Sequence, residues 1–312
     1  MSITTRSLYK SYGDLTAVNG IDLDIKPGKV FGFLGPNGAG KSTTIKLLTT
    51  LIPPTSGTIE ILGINAIKNP LEVRKKIGVV LQQPSYEPNL SVEKSLEKYG
   101  MMWNVDKQIR KQRTEELIDV FDLQEIRKKK NEDLSIGQRR RVQVAREFMH
   151  EMELLFLDEP TIGLDPSARR SLLDYLKNKA KTGLTIFYTT HVLTEAEYLC
   201  DEIAVINKGK ILAVDTPEQL KSTFGQEKTI KIHLLERHDK LAQLLLGISG
   251  CVVDFNTGTD IIIQSHRAEI VLSQVLSILI ENNIAIEDLS AMPTTLEEIF
   301  LKMVKDTNVS DN

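Results

Sequence analysis

Apolar residues come in two kinds of run along the chain. Val30-Phe31-Gly32-Phe33-Leu34, Leu154-Leu155-Phe156-Leu157 and Thr185-Ile186-Phe187-Tyr188-Thr189-Thr190 have no polar positions at alternate sites. That predicts strands covered on both faces, as in a parallel sheet. Between them lie stretches with helical spacing: one opening at Thr44-Ile45-Lys46-Leu47-Leu48, two around Val92 to Trp103 and Lys107 to Phe121, and one from Gln138 to Met149. The middle two fall in an insertion running from Pro84 to Asp133. Strand and helix alternate, so the first part of the chain is read as α/β.

Beyond Asp215-Thr216-Pro217-Glu218-Gln219-Leu220-Lys221 the pattern changes. It predicts a strand at Thr229 to Leu235, a helix at Asp239 to Leu246 and a strand at Cys251 to Phe255. A turn at Thr257-Gly258 follows, then a strand at Asp260 to Gln264, a helix at Ala268 to Glu281, a strand at Ile284 to Leu289 and a last helix at Thr295 to Val304. The order β-α-β-β-α-β is that of a small ferredoxin-like α+β domain with an added helix. The expected division is 1–222 and 225–312, with a helical subdomain at about 84–150.

Composition narrows the function classes. Of 312 residues 26% are charged, with a net charge of −3, so no basic excess points to a nucleic-acid partner. Cys200 and Cys251 are too few and too far apart for a disulfide framework, which fits a reducing, cytoplasmic compartment. No run approaches the roughly 18 apolar residues that span a bilayer, so any work at a membrane would pass through a partner.

The chemistry begins at Gly35-Pro36-Asn37-Gly38-Ala39-Gly40-Lys41-Ser42-Thr43, a phosphate-binding loop with the full G-x-x-x-x-G-K-[ST] spacing between an apolar strand and a helix. Its glycines let backbone N–H groups turn inward on an anion, and the helix that follows adds its positive end. Lys41 is placed for the β- and γ-phosphates, and the Ser42 hydroxyl for magnesium. Asp158 and Glu159 follow a buried strand, where open α/β folds bind ligands. Asp158 would hold magnesium through its water shell, and Glu159 would orient or deprotonate the water attacking the γ-phosphate. The run from Thr185 brings His191 to the same sheet edge, where its imidazole could bond the γ-phosphate or that water.

With Leu134-Ser135-Ile136-Gly137-Gln138-Arg139-Arg140-Arg141 the chain resembles the signature sequence of ABC-type ATPases, usually Leu-Ser-Gly-Gly-Gln. The other elements of that family stand in order over residues 2 to 220: Tyr12 for stacking on adenine, Gln82 as the Q-loop glutamine and magnesium ligand, with Gln83 as competitor, the Asp158-Glu159 pair, Asp165 in a D-loop Gly163-Leu164-Asp165, and His191 as switch histidine. The resemblance implies a P-loop NTPase fold of ABC type that binds and hydrolyses ATP with Mg2+. It also implies a head-to-tail dimer in which Ser135, Gly137 and Gln138 of one copy meet the nucleotide of the other. Ile136 departs from the family's glycine and argues for an ordinary φ there. The segment Met292-Pro293-Thr294-Thr295-Leu296-Glu297-Glu298-Ile299-Phe300 resembles the tails of exporter ATPases of the daunorubicin-resistance type. That implies a subunit peripheral to the inner face of the cell membrane, paired with a permease that docks on the helical insertion. An importer ATPase and a soluble ABC-type ATPase are the alternatives. Arg139 to Arg141 either serve a negative partner or sit in solvent, and the run Arg127-Lys128-Lys129-Lys130 is expected to be a solvated helix end.

Overall fold

In a computed structural model, which describes residues 1–83, 85–224, 228–236, 239–249, 251–255, 259–265, 268–293 and 295–309, the chain divides into two compact units, Met1–Pro217 and Glu218–Asn312. The first opens with β1 (Ile3–Tyr12), β2 (Leu15–Ile25), β3 (Val30–Leu34), α1 (Lys41–Leu48), β4 (Ser56–Ile61), β5 (Ile64–Asn65), α2 (Pro70–Arg74) and β6 (Ile77–Val80). The helical insertion follows as α3 (Val92–Met102), α4 (Lys107–Val120) and α5 (Ile136–Glu147). The chain then returns to the sheet through β7 (Leu154–Asp158), α6 (Pro166–Lys181), β8 (Thr185–Thr190), α7 (Leu193–Leu199), β9 (Glu202–Asn207) and β10 (Lys210–Asp215). Pro84, the first residue of the expected insertion, lies outside the described residues.

The unbroken apolar runs lie side by side. A six-stranded sheet has the order β10-β9-β3-β8-β7-β6, parallel except for the β10–β9 pair. Every residue of β3, β7 and β8 is buried, between helices α6 and α7 and the core that the sheet shares with α1 and the antiparallel strands. Phe31, Phe33 and Phe156 each pack against Phe187, with ring centroids 5.3 to 5.8 Å apart. A second, antiparallel sheet of order β2-β1-β4-β5 shares this core through Ile3, Leu8, Ile21 and Ile59. The carboxyl ends of β3, β6, β7 and β8 lie along one edge and carry the phosphate loop, Gln82, Asp158-Glu159 and His191.

The second unit continues with α8 (Pro217–Phe224), β11 (Lys228–Leu234), α9 (Asp239–Leu246), β12 (Cys251–Phe255), β13 (Asp260–Ser265), α10 (Ala268–Glu281), β14 (Ile286–Pro293) and α11 (Leu296–Val309). Its four strands pair antiparallel in the order β12-β13-β11-β14, the ferredoxin-like arrangement the sequence predicts. Ile230, Ile232, Ile261 and Ile263 on the sheet bury against Leu241, Leu245, Val271 and Val275 on α9 and α10. The last strand begins two residues later than the expected Ile284. Residues 257, 258 and 294, in the expected turn and tail segment, lie outside the described residues.

The structure corrects or refines three readings. The signature helix starts at Ile136 rather than Gln138, because Ser135 and Gln138 form a capping box: Ser135 Oγ accepts from Gln138 N at 3.2 Å and Gln138 Oε1 accepts from Ser135 N at 3.0 Å. Arg139, Arg140 and Arg141 are not a solvated face, since each guanidinium donates to backbone carbonyls, of Leu134, of Leu81 and Gln82, and of Phe121 and Asp122 respectively. In the basic run Lys128, Lys129 and Lys130 are exposed as expected, while Arg127 is held between Glu93 and Glu115, and pairing with Arg127 and Lys128 holds the Glu93 carboxyl down at about 2.

Candidate active site

The Glu159 carboxylate is the meeting point of the sheet edge. Its Oε1 lies 3.7 Å from Lys41 Nζ, and its Oε2 accepts from Gln82 Nε2 at 3.4 Å and lies 3.3 Å from His191 Nδ1. Loop, strand ends and switch turn therefore converge on one residue only 6% exposed. Glu159 also has a φ of 49°, the left-handed region that non-glycine residues rarely occupy. The fold holds it there by Glu159 N donating to Thr189 O at 3.1 Å and Thr189 Oγ1 at 3.2 Å, and strain of this kind collects at functional sites. Of the adjacent glutamines it is Gln82 whose side chain faces the cluster.

Lys41 is buried. Its ammonium donates to Gly35 O at 2.7 Å and to Pro36 O at 3.2 Å. Burial pulls its pKa down, opposed by the charges of Glu159 and Asp158. Gly40, the N-cap of α1, has a φ of 105°, and a Cβ there would meet Ala17 O at 2.3 Å, so the loop closes against β2 only through glycine. Gly38, with φ 81°, needs glycine for conformation alone. Asn37 and Ala39 complete the turn, with Ala39 N bonded to Pro36 O at 3.2 Å. Ser42 and Thr43 follow in the first turn of α1. Tyr12 ends β1 opposite Leu15, in the hairpin whose Ala17 touches the loop, and its ring is 49% exposed. Asp158 is 2% exposed, and its Oδ1 accepts from Thr189 Oγ1 at 2.6 Å.

The signature and D-loop residues have local duties. Asp165 caps α6 by accepting from Ala168 N at 2.9 Å, and this bond is the main cause of its lowered pKa. Ser135 and Gln138 bond each other. Ile136 has no positive φ and is 64% exposed. Gly137 also has ordinary φ, and a Cβ on it would lie 2.3 Å from Gly163 O, so its glycine is required by the D-loop of the same chain.

Reading for motifs misses the residues that hold these loops. Arg140, 3% exposed, donates to Leu81 O and Gln82 O. On the same helix, Arg146 bonds Ser85 Oγ at 2.7 Å and Glu147 accepts from Val79 N at 3.2 Å. Glu195 is 2% exposed and reaches three hydroxyls near Glu159 and His191. No spacing in the sequence marks them, since charged residues stand at 139 and 141 as well as at 140, 146 and 147.

Comparisons with known proteins agree with this geometry. The family model described as ABC transporter matches residues 18–162. The chain is 33% identical over 307 residues to the linearmycin resistance ATP-binding protein LnrL of Bacillus subtilis, covering 98% of this chain and 99% of that protein. It is 34% identical over 306 residues to the daunorubicin/doxorubicin resistance ATP-binding protein DrrA of Streptomyces peucetius, covering 97% and 92%. Among solved structures, an ATP-binding subunit of an ABC transporter superposes with TM-score 0.67 at 27% identity, covering 72% of this chain and 94% of the other. A dimeric ATP-binding cassette in a post-hydrolysis state with ADP and Pi gives 0.64 at 25%, covering 69% and 98%.

Proposed function

Because the chain belongs to the ABC transporter family as an ATP-binding, ATP-hydrolysing subunit, we propose that it hydrolyses ATP at the cluster around Glu159 and powers drug-type export through a separate membrane permease. The observation that carries the catalytic part is the convergence of Lys41, Gln82 and His191 on one buried carboxylate.

Residues 35–43 cradle the phosphates through inward backbone N–H groups, with Lys41 as the positive charge on the transferred group and Tyr12 stacked on the adenine. Glu159 takes the proton of the attacking water, and its fixed φ aims the carboxylate along the sheet edge. His191, half exposed on the other side of Oε2, bonds the γ-phosphate or holds that water in line. Magnesium, when bound, neutralises charge on the phosphates; Ser42, Asp158 and Gln82 would hold it, and their hydroxyl, carboxylate and amide oxygens are the hard donors it takes.

A second copy completes the site. Ser135 and Ile136 stand exposed at the start of α5, where the free backbone N–H groups of a helix favour an anion, and Gly137 and Asp165 lie beside them. The dimeric cassette among the structural neighbours supports this pairing. Among the described residues no helix is long and apolar enough to cross a membrane. Membership of the ABC transporter family supports a place on the inner face of the membrane through the permease. The drug-resistance names of the relatives favour export over import.

Glu159→Gln tests the catalytic core. ATP affinity is expected to stay within about threefold of the parent while turnover falls by about 10² to 10⁴, the range of a lost general base. Steady-state hydrolysis at the parent rate would remove Glu159 from this role. Copurification of the chain with a polytopic membrane protein tests the transport part.

A further inference from the structure

The two sides of the catalytic cluster, Glu159 after β7 and His191 after β8, are tied together by a buried carboxylate outside every motif described above. Glu195 lies on α7. Its Oε2 accepts three hydrogen bonds: from Tyr188 OH at 2.7 Å, from Thr161 Oγ1 at 3.0 Å and from Thr190 Oγ1 at 3.0 Å. Its Oε1 faces Arg169 Nε at 3.4 Å. A carboxylate this deep costs several kcal/mol to desolvate unless donors compensate it; the three hydroxyls do so at Oε2, whereas Oε1 has no hydrogen-bond partner among the described residues and only the Arg169 charge beside it. Burial first, and then the Glu195 charge, raise the Tyr188 pKa well above its ordinary value, so the phenol remains a donor.

Each donor sits next to a reacting segment. Thr161 is two residues beyond Glu159, and its carbonyl accepts from Leu164 N at 3.1 Å, closing the D-loop turn. Thr190 immediately precedes His191, and its Oγ1 also accepts from Val192 N at 2.9 Å, shaping the turn that carries the imidazole. Arg169 N bonds Asp165 O at 2.9 Å, one turn into the helix that Asp165 caps.

We propose that Glu195 is a positioning residue for hydrolysis: by holding Thr161 and Thr190 on one oxygen it fixes the separation of Glu159 and His191 and links both to the D-loop. This rests on the catalytic reading of Glu159 given above. Glu195 touches neither Lys41 nor residues 35–43 in any hydrogen bond or ion pair among the described residues, so its loss acts on turnover rather than on ATP capture.

The test uses the full chain carrying Glu195→Gln, Thr190→Val or Thr190→Ser, with Glu159→Gln as reference, and measures ATPase rate against ATP concentration beside thermal unfolding. In Glu195→Gln an NH2 group replaces one oxygen and either faces Arg169 or displaces the acceptor shared by three hydroxyls. Glu195→Gln and Thr190→Val are expected to lower kcat about tenfold or more with KM for ATP within about threefold, the sign of misplacement rather than weaker binding. Thr190→Ser, which keeps the hydroxyl, is expected to stay within about threefold of the parent rate. The proposal is overturned by a kcat within about twofold of the parent in folded Glu195→Gln, or by Thr190→Ser as slow as Thr190→Val. If Glu195→Gln does not fold, the Thr190 pair decides alone. Parent-like hydrolysis by Glu159→Gln would instead sink the catalytic reading, whatever the Glu195 variants do.

Discussion

A methyl group added at Gly137 would sit 2.3 Å from the carbonyl oxygen of Gly163 and within 3.2 Å of its carbon, with no flexible side chain to give way. Gly137→Ala must therefore push the start of α5 away from the D-loop, at about 1 to 3 kcal/mol for overpacking of this kind. It is expected to lower both melting temperature and ATPase rate although it adds no charge. Ile136 behaves differently. It is 64% exposed and only its Cβ and Cγ2 lie beside Gly163, so Ile136→Gly is expected to change turnover by less than about fivefold, glycine costing about 1 kcal/mol at a helical position. Hydrolysis and thermal unfolding of the two variants check the pair. Equal tolerance of both would mean that the approach of signature to D-loop does not matter.

Helix α5 joins the signature to the Q-loop. Its exposed start presents Ser135 and Ile136, while Arg140, Arg146 and Glu147 on its buried face bond residues 79, 81, 82 and 85. A shift of the helix must move Gln82, and with it a neighbour of Glu159. Just beyond its end, His150 stacks on Trp103 with centroids 3.9 Å apart, and burial pushes its pKa down to about 4. The unfolded chain protonates His150 near 6.5, well above the folded pKa, so its stability contribution is complete above about pH 6.5 and is lost as pH falls toward about 4, on the order of 3 kcal/mol in all. Glu147, pushed up to about 6 by burial, has the opposite sign: its contribution is complete below about 4.5 and lost as pH rises through about 6. The difference between the parent and His150→Phe, which keeps a ring against Trp103, isolates the histidine. Urea unfolding at pH 7.5, 6 and 4.5 is expected to show the variant gaining on the parent as pH falls.

All residues proposed to meet nucleotide, from Tyr12 to His191, lie in the unit Met1–Pro217; in the second unit His233 pairs with Asp260 and Glu287, but these side chains are exposed and no phosphate-binding loop stands beside them. A chain ending at Phe224 is expected to fold and to bind Mg-ATP within about threefold of the full protein, as separable domains do. Its self-association or its coupling to the permease would weaken instead. Isothermal titration and sedimentation check this, and a folded, truncated chain unable to bind ATP would show that the second unit helps build the site. The reason so much of the site was readable beforehand is that phosphate chemistry needs contiguous residues. A loop that points successive amides at an anion, or a carboxylate that ends a buried strand, is written in consecutive positions, so residues 35–43 and, beside them, Asp158-Glu159 and His191 stand out as candidates, while Tyr12, Gln82, Ser135 and Asp165 come from the family resemblance. The ferredoxin-like order of the second unit followed from periodicity in the same way. The choice of Gln82 over Gln83 required the fold, because adjacent glutamines differ only in which side of the strand end they face. So did the burial of Arg140, the approach of Gly137 to Gly163 and the three hydroxyls on Glu195. Arg140 reaches Leu81 and Glu195 reaches Thr161 across segments far apart in the chain, and a buried charge reads like any surface charge until packing brings its partners to it.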